Sequence, residues 1–182
     1  MADIVSVAEV KQQLNIPDDD TSQDAELAVY VAAVTEVVEG IVGPVDPRAV
    51  TETHDGGTEV LILRQPPVLS VTSVTEGGTA VTGYTAALDS GVLYRTGGWW
   101  ASGRASVTVV YQAGRTSIPA AVKLAAKELV MVNFRPQLGG DYAPFDTDAP
   151  GEGVPGEVRL GFFVPNRVRE LLKPYEQGGW LP

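Results

Sequence analysis

The chain carries one histidine, His54, and no cysteine. With no thiol there is no disulfide, thiolate nucleophile or Cys-ligated zinc site. A single imidazole excludes a cluster of His ligands and leaves one possible base for a Ser-His-Asp triad. His54 ends a β-branched run and precedes Asp55 and the pair Gly56-Gly57, so the expectation is a strand-end histidine with an exposed ring. Neither the phosphate loop G-x-x-x-x-G-K-[ST] nor the nucleophile elbow G-x-S-x-G is present.

Carboxylates supply the other chemistry to be weighed. Asp146, Asp148, Gly151 and Glu157 fall at the first, third, sixth and twelfth positions of a calcium-binding EF-hand loop. Pro150 occupies the fifth position, where an oxygen ligand is needed, and Pro155 interrupts the loop, so calcium binding is not expected. A carboxylate pair for glycoside hydrolysis can be drawn from Asp141 to Glu157, but the sequence does not set the separation such chemistry depends on. The reading is a protein that is not an enzyme and takes no cofactor or metal.

The elements that hold these residues are clearer. Ser6-Val-Ala-Glu9 is an S-x-x-E capping box heading a short helix to Asn15. An acidic turn, Asp18 to Asp20, follows, and Asp24 and Glu26 open a second helix running to about Val42, with Gly43-Pro44 as its stop. Leu27, Tyr30, Val31, Val34, Val37, Val38 and Ile41 give that helix a wide apolar face. From about Ala49 to Ala113 the pattern changes to short β-branched runs: Val50 to Thr53, Glu59 to Arg64, Val68 to Glu76, Thr79 to Tyr84, Val92 to Arg95 and Ala105 to Gln112. Gly56-Gly57 and Gly77-Gly78 suit tight hairpins, and Pro66-Pro67 excludes a central strand there. Trp99-Trp100 either plugs the end of this β region or offers a contact surface.

Ser117 to Phe134 then reads as a long helix, with Ser117 as N-cap, Pro119 in its first turn, and apolar residues on nearly every side. Only Lys123, Lys127, Glu128 and Asn133 are left to face water. Such a helix is covered either by its own core or by neighbouring copies. Residues 135–164, rich in Pro, Gly and Asp, exceed ordinary loop lengths and read as a flexible segment. A final helix from Pro165 to Tyr175 places Val168, Leu171, Leu172 and Tyr175 on one face and gathers Arg159, Arg167, Arg169 and Lys173. That cluster is either a docking face or a solvated one.

The expected fold class is therefore α+β: a helical core of about four helices, two of them long and apolar, with a small antiparallel sheet or barrel inserted between the second and third. Residues 1–48 and 113–182 form the helical part, and 49–112 the insert. With 182 residues and 44% hydrophobic content the chain can bury a real core. No apolar run approaches the ~18 residues of a membrane span, and the start Met-Ala-Asp-Ile lacks a basic signal region, so synthesis in the cytoplasm is expected. Thirteen Lys plus Arg against 23 Asp plus Glu give a net charge of −10, which argues against a basic groove gripping nucleic acid. Such charge serves either solubility or an acidic wall past which DNA slides without sticking.

This order of elements resembles the head-tail connector (adaptor, or head-completion) family of long-tailed bacteriophages, over nearly the full length. The stretches that carry the resemblance are Ser6 to Leu14, Arg64-Gln-Pro-Pro-Val-Leu-Ser-Val-Thr-Ser-Val74, Gly91 to Trp99 with Val107 to Gly114, Ile118-Pro119, and Pro165-Asn-Arg-Val-Arg-Glu-Leu-Leu-Lys-Pro-Tyr175. The resemblance implies a structural virion protein at the head-tail junction. Its copies would form a ring, commonly a dodecamer, beneath the portal protein, extend the DNA channel without sequence-specific binding, and meet the next neck or tail protein. It also implies portal or ring contact through Arg167, Arg169, Lys173 and Tyr175, with Trp180 as an anchor. The competing expectations are a stopper or tail-completion protein, which would be mainly β, and a carbohydrate- or peptide-binding module built on Trp99-Trp100.

Overall fold

The computed structural model describes residues 3–134 and 162–176. Within them the protein is α+β, with four α-helices and two small antiparallel sheets. The described residues fall into two compact units. One is built from Asp3–Thr35 and the stretch from Ala120 to Pro174; the other is Glu36–Pro119 with Tyr175 and Glu176. Among the described residues no helix is long and apolar enough to cross a membrane.

In the first unit, α1 (Val7–Leu14) opens on the expected capping box. The Ser6 hydroxyl accepts from the Glu9 amide, the Glu9 carboxylate accepts from the Ser6 amide, and Asn15 closes the helix in the left-handed conformation. α2 (Asp24–Val42) begins in this unit and ends in the other. Leu27, Val31, Val34, Val38 and Val42 are fully buried, while Ala28, Val29, Ala32, Ala33 and Glu36 are exposed. The helix is thus covered on one side only. α3 (Ala120–Phe134) packs against α1 and against α4 (Asn166–Leu172), and Phe134 meets Tyr30 edge-on with ring centroids 5.5 Å apart.

The second unit holds β1 (Arg48–His54), β2 (Val60–Ile62), β3 (Val68–Glu76), β4 (Thr79–Ala80), β5 (Tyr84–Ala87), β6 (Val92–Arg95) and β7 (Val107–Ala113). They form two sheets rather than one: β1-β7-β3-β4 and β2-β6-β5. Period-two alternation sends Val74, Val107, Val109, Tyr111 and Ala113 of the first sheet, and Leu61 and Leu93 of the second, into one apolar cluster shared with Trp100. The Gly77-Gly78 hairpin forms as expected, both residues at positive φ between β3 and β4.

Several boundaries differ from the sequence expectation, each for a local reason. Gly56-Gly57 makes no hairpin, because β1 pairs with β7 while β2 pairs with β6. Gly56 instead lies so close to the backbone of Ala101 that a Cβ would overlap its carbonyl oxygen. The expected strand Thr79 to Tyr84 is broken over residues 81–83, and its two ends join different sheets. Helix α3 starts at Ala120, so Pro119 precedes it and Ser117 is not its N-cap. Nor is α3 free of polar burial: Glu128 is buried and Leu124 is exposed, the reverse of the expectation, so neither α2 nor α3 is the long, wholly apolar helix expected.

The junction from α2 to β1 is tied down within the second unit. Gly43, at φ +76°, donates to the Glu39 carbonyl, while the Glu39 carboxylate accepts from the Val45 amide at 2.9 Å and from Arg48 at 3.0 Å. Arg115 donates to the carbonyls of Val42 at 2.9 Å and Pro44 at 3.3 Å, placing a cation at the negative end of the helix. Gly114 has φ +117°, and a Cβ there would come within 2.5 Å of the Asp46 carbonyl oxygen. Only glycine fits that crossing.

Candidate functional site

His54 does not present an exposed ring. It points inward from β1 beside Glu52, two residues earlier on the same face, and both are buried. The Glu52 carboxylate accepts from the Tyr111 hydroxyl at 2.6 Å and from the Arg64 amide at 3.1 Å, and lies 3.1 Å from His54 Nε2. The Tyr111 hydroxyl in turn accepts from the Gln65 amide at 3.3 Å. Burial first, and then the adjoining Glu52 carboxylate, push the Tyr111 hydroxyl above the ordinary tyrosine range. This network joins β1 and β7 of one sheet to the chain just beyond β2 of the other. Its hydrogen bonds are internal, which suits holding sheets together. The readable trace is the alternation Glu52-x-His54, which continues the face of Val50. Among the described residues no group of three His, Cys, Asp or Glu side chains is placed to hold a metal ion. Asp146, Asp148, Gly151 and Glu157 lie outside the described residues.

The contact residues expected near the C-terminus are split by the structure. Arg167 lies on α4 and pairs with Glu128 of α3 at 3.0 Å. One helical turn separates Arg169 from Lys173, so these two share a flank, both exposed, while Arg167 lies on the opposite flank of the buried Val168 and Leu172. Tyr175 is half-buried and belongs to the other unit. Trp180 and Arg159 lie outside the described residues, as does most of the expected flexible segment 135–164.

The tryptophan pair divides its two expected roles. Trp100 is buried, packed at 6.2 Å from the Tyr84 ring with the Arg95 guanidinium 5.6 Å over its own. Trp99 is 65% exposed. A contact missed from sequence is Asn133, expected to face water. Its side chain donates to the Phe163 carbonyl at 3.0 Å and accepts from the Phe163 amide at 2.9 Å, bonding that backbone as a neighbouring strand would. Phe162 and Phe163 themselves remain exposed.

Compared with known proteins, residues 3–177 match the family model described as head completion protein. Two solved chains share the fold. One comes from the neck of an empty GTA (gene transfer agent) particle computed with C6 symmetry, with a TM-score of 0.61 and 18% identity, covering 98% of this chain and 92% of that one. The other, from the neck of a native GTA particle computed with C12 symmetry, has a TM-score of 0.59 and 16% identity, covering 96% and 90%. No curated protein matches the chain. A family match spanning almost the whole sequence identifies the chain as a member of the head completion protein family.

Proposed function

We propose that the protein is a structural component of the virion neck: a head-tail connector whose copies form a ring beneath the portal protein, extend the DNA channel and offer a surface to the next neck or tail protein. The observation that carries this reading is the family match over residues 3–177. The fold shared with chains of symmetric necks supports it. A net charge of −10 suits a wall past which DNA must slide. In this reading residues 1–48 and 113–182 are the connector core and 49–112 the insert. The role is architectural rather than catalytic, at the head-tail junction.

Portal docking belongs to the exposed flank of α4. Arg169 and Lys173 point the same way and are exposed, so they carry the contact; the family resemblance adds Tyr175 and Trp180 as further candidates. Arg167 contributes less, because Glu128 already engages it. The test is the native mass of the full chain, alone and mixed with the portal protein of the same genome, followed by electron microscopy of any large species. A ring stacked on the portal is expected. A chain that stays small with the portal present would overturn the connector reading. Reversing Arg169 and Lys173 to Glu together should weaken portal binding about tenfold or more; unchanged binding would remove the docking assignment.

A further inference from the structure

The two sheets of the β unit share one core, yet their outer faces differ. On the β1-β7-β3 sheet the outward residues are Ala49, Thr51 and Thr53, then Thr108, Val110 and Gln112, then Ser70, Ser73 and Thr75: a hydroxyl-rich face of the kind expected against water. On the β2-β6-β5 sheet, Leu61, Leu93 and Ala86 point inward, which sends Val60, Tyr94 and Thr85 outward in one row and Ile62, Val92 and Ala87 in the next. Five of those six are apolar or aromatic. Val60, Ile62 and Tyr94 are 37%, 38% and 47% exposed. Trp99, 65% exposed, is tethered at the Val60 end, since the next residue, Trp100, donates its amide to the Thr58 carbonyl.

A second apolar face of opposite relief lies on α2. Ala25, Ala28, Val29, Ala32 and Ala33 sit on one exposed side of the helix, with Glu36 and Gly40 continuing it. Val29 is 66% exposed. This surface is flat because its side chains are small, whereas the sheet face projects Tyr94, Ile62 and Val60. A ring is closed by heterologous contacts, each pairing two different patches of the same chain, so it needs two surfaces of complementary shape. A twofold dimer would need only one.

We infer that the β2-β6-β5 face of one copy seats on the Ala/Val face of α2 in the next copy, and that this contact closes the ring. The inference rests on the ring reading above and names the surfaces that make it. Large side chains on the sheet meet small ones on the helix, so apolar area is lost to water on both sides at close approach.

With no native cysteine, each variant of the chain carries a single thiol. Two single-cysteine variants of the full chain, Tyr94→Cys and Val29→Cys, are each mixed with the portal protein under mild oxidation, separately and then together. Disulfide-linked dimers are expected only in the mixture of the two. Crosslinking of Tyr94→Cys with itself would show a twofold contact and overturn the inference, as would rings without any crosslink in the mixture. Independently, Ile62→Asp and Val29→Asp should each lower the yield of rings about tenfold or more, with the circular dichroism spectrum of the small species unchanged. If the unmodified chain forms rings and both variants do so equally, this pairing fails and the connector reading stands. If the unmodified chain forms none, the connector reading fails and takes this inference with it.

Discussion

The Glu52 network of the β unit and the charge pairs of the helical unit treat buried polar groups in opposite ways. In the β unit, the Glu52 carboxylate is held by the buried Tyr111 hydroxyl and His54 and by the Arg64 amide. In the helical unit the charges lie along helix seams, and one partner of each pair is less enclosed. Lys11, 4% exposed, pairs with Asp24, 39% exposed, across α1 and α2, and Glu128, 10% exposed, pairs with Arg167, 73% exposed, across α3 and α4. The difference separates two uses of charge. An internal network makes its members depend on one another, because losing one strands the rest in a medium without water. A seam pair whose outer partner reaches solvent has less to lose, because that partner is hydrated whether or not the pair forms.

The sharpest way to break the comparison is Glu52→Ala. It leaves the Tyr111 hydroxyl, the Arg64 amide and a His54 ring nitrogen without their acceptor, at on the order of 3 kcal/mol or more. Urea unfolding followed by tryptophan fluorescence reads this directly, since Trp99 and Trp100 both lie in the β unit. A loss under about 1 kcal/mol would show the network to be no more cooperative than a seam pair. Tyr111→Phe is milder, at about 1 to 3 kcal/mol, and carries a pH signature. Because the folded state holds the Tyr111 proton more tightly than an ordinary tyrosine, its contribution is fully present below the unfolded value of 10.0 and declines as pH rises above it. The advantage of the native chain over Tyr111→Phe should therefore shrink above pH 10.0; a gap constant with pH would mean the hydroxyl is not shielded.

How much of this was legible in the sequence follows the same division. The capping box at Ser6 and Glu9, the span of α2, the Gly77-Gly78 hairpin and the placement of most strands could be read, because each rests on contacts within a few residues. Two sheets in place of one could not, since the partners of β1 and β2 lie far along the chain and the Gly56-Gly57 pair looked like a hairpin turn. The buried Glu52 and His54 were hidden for a related reason: Tyr111, which donates to Glu52, is 59 residues away. At the C-terminal helix the residue types were legible and their grouping was not. Arg167 resembles Arg169 in sequence, but only α3, with Glu128, decides which of the two is engaged. The family resemblance was readable because it rests on element order rather than on any one contact.

Two smaller substitutions sharpen the comparison from the helical side. Ser6→Ala removes the hydroxyl that accepts from the Glu9 amide, and a lost N-cap costs about 1 kcal/mol. The Glu9 carboxyl is held below its ordinary value, chiefly by the Ser6 amide. Its contribution is accordingly present above the unfolded value of 4.5 and is lost as pH falls through the lower folded value. The capped chain and a Glu9→Gln variant should thus converge in stability as pH drops below 4.5, and a difference that persists at lower pH would exclude the carboxylate as its source.

Arg167→Ala is the smallest expected effect and the most discriminating. The guanidinium is largely in water, so deleting it should cost between 0 and about 1 kcal/mol, mostly by leaving Glu128 without its cation. Replacing Glu128 with Gln in the same background removes the stranded charge, and the double variant should recover part of that loss. The cycle formed by the two single variants and the double then gives the coupling of one seam pair, read by urea midpoint. A coupling of a few tenths of a kcal/mol sets the seam apart from the Glu52 network. A coupling as large as the loss in Glu52→Ala would mean that α4 is locked to α3 through charge. In that case Arg167 is part of the packing of the helical unit, and reversing it in a portal-binding assay would report on folding rather than on docking.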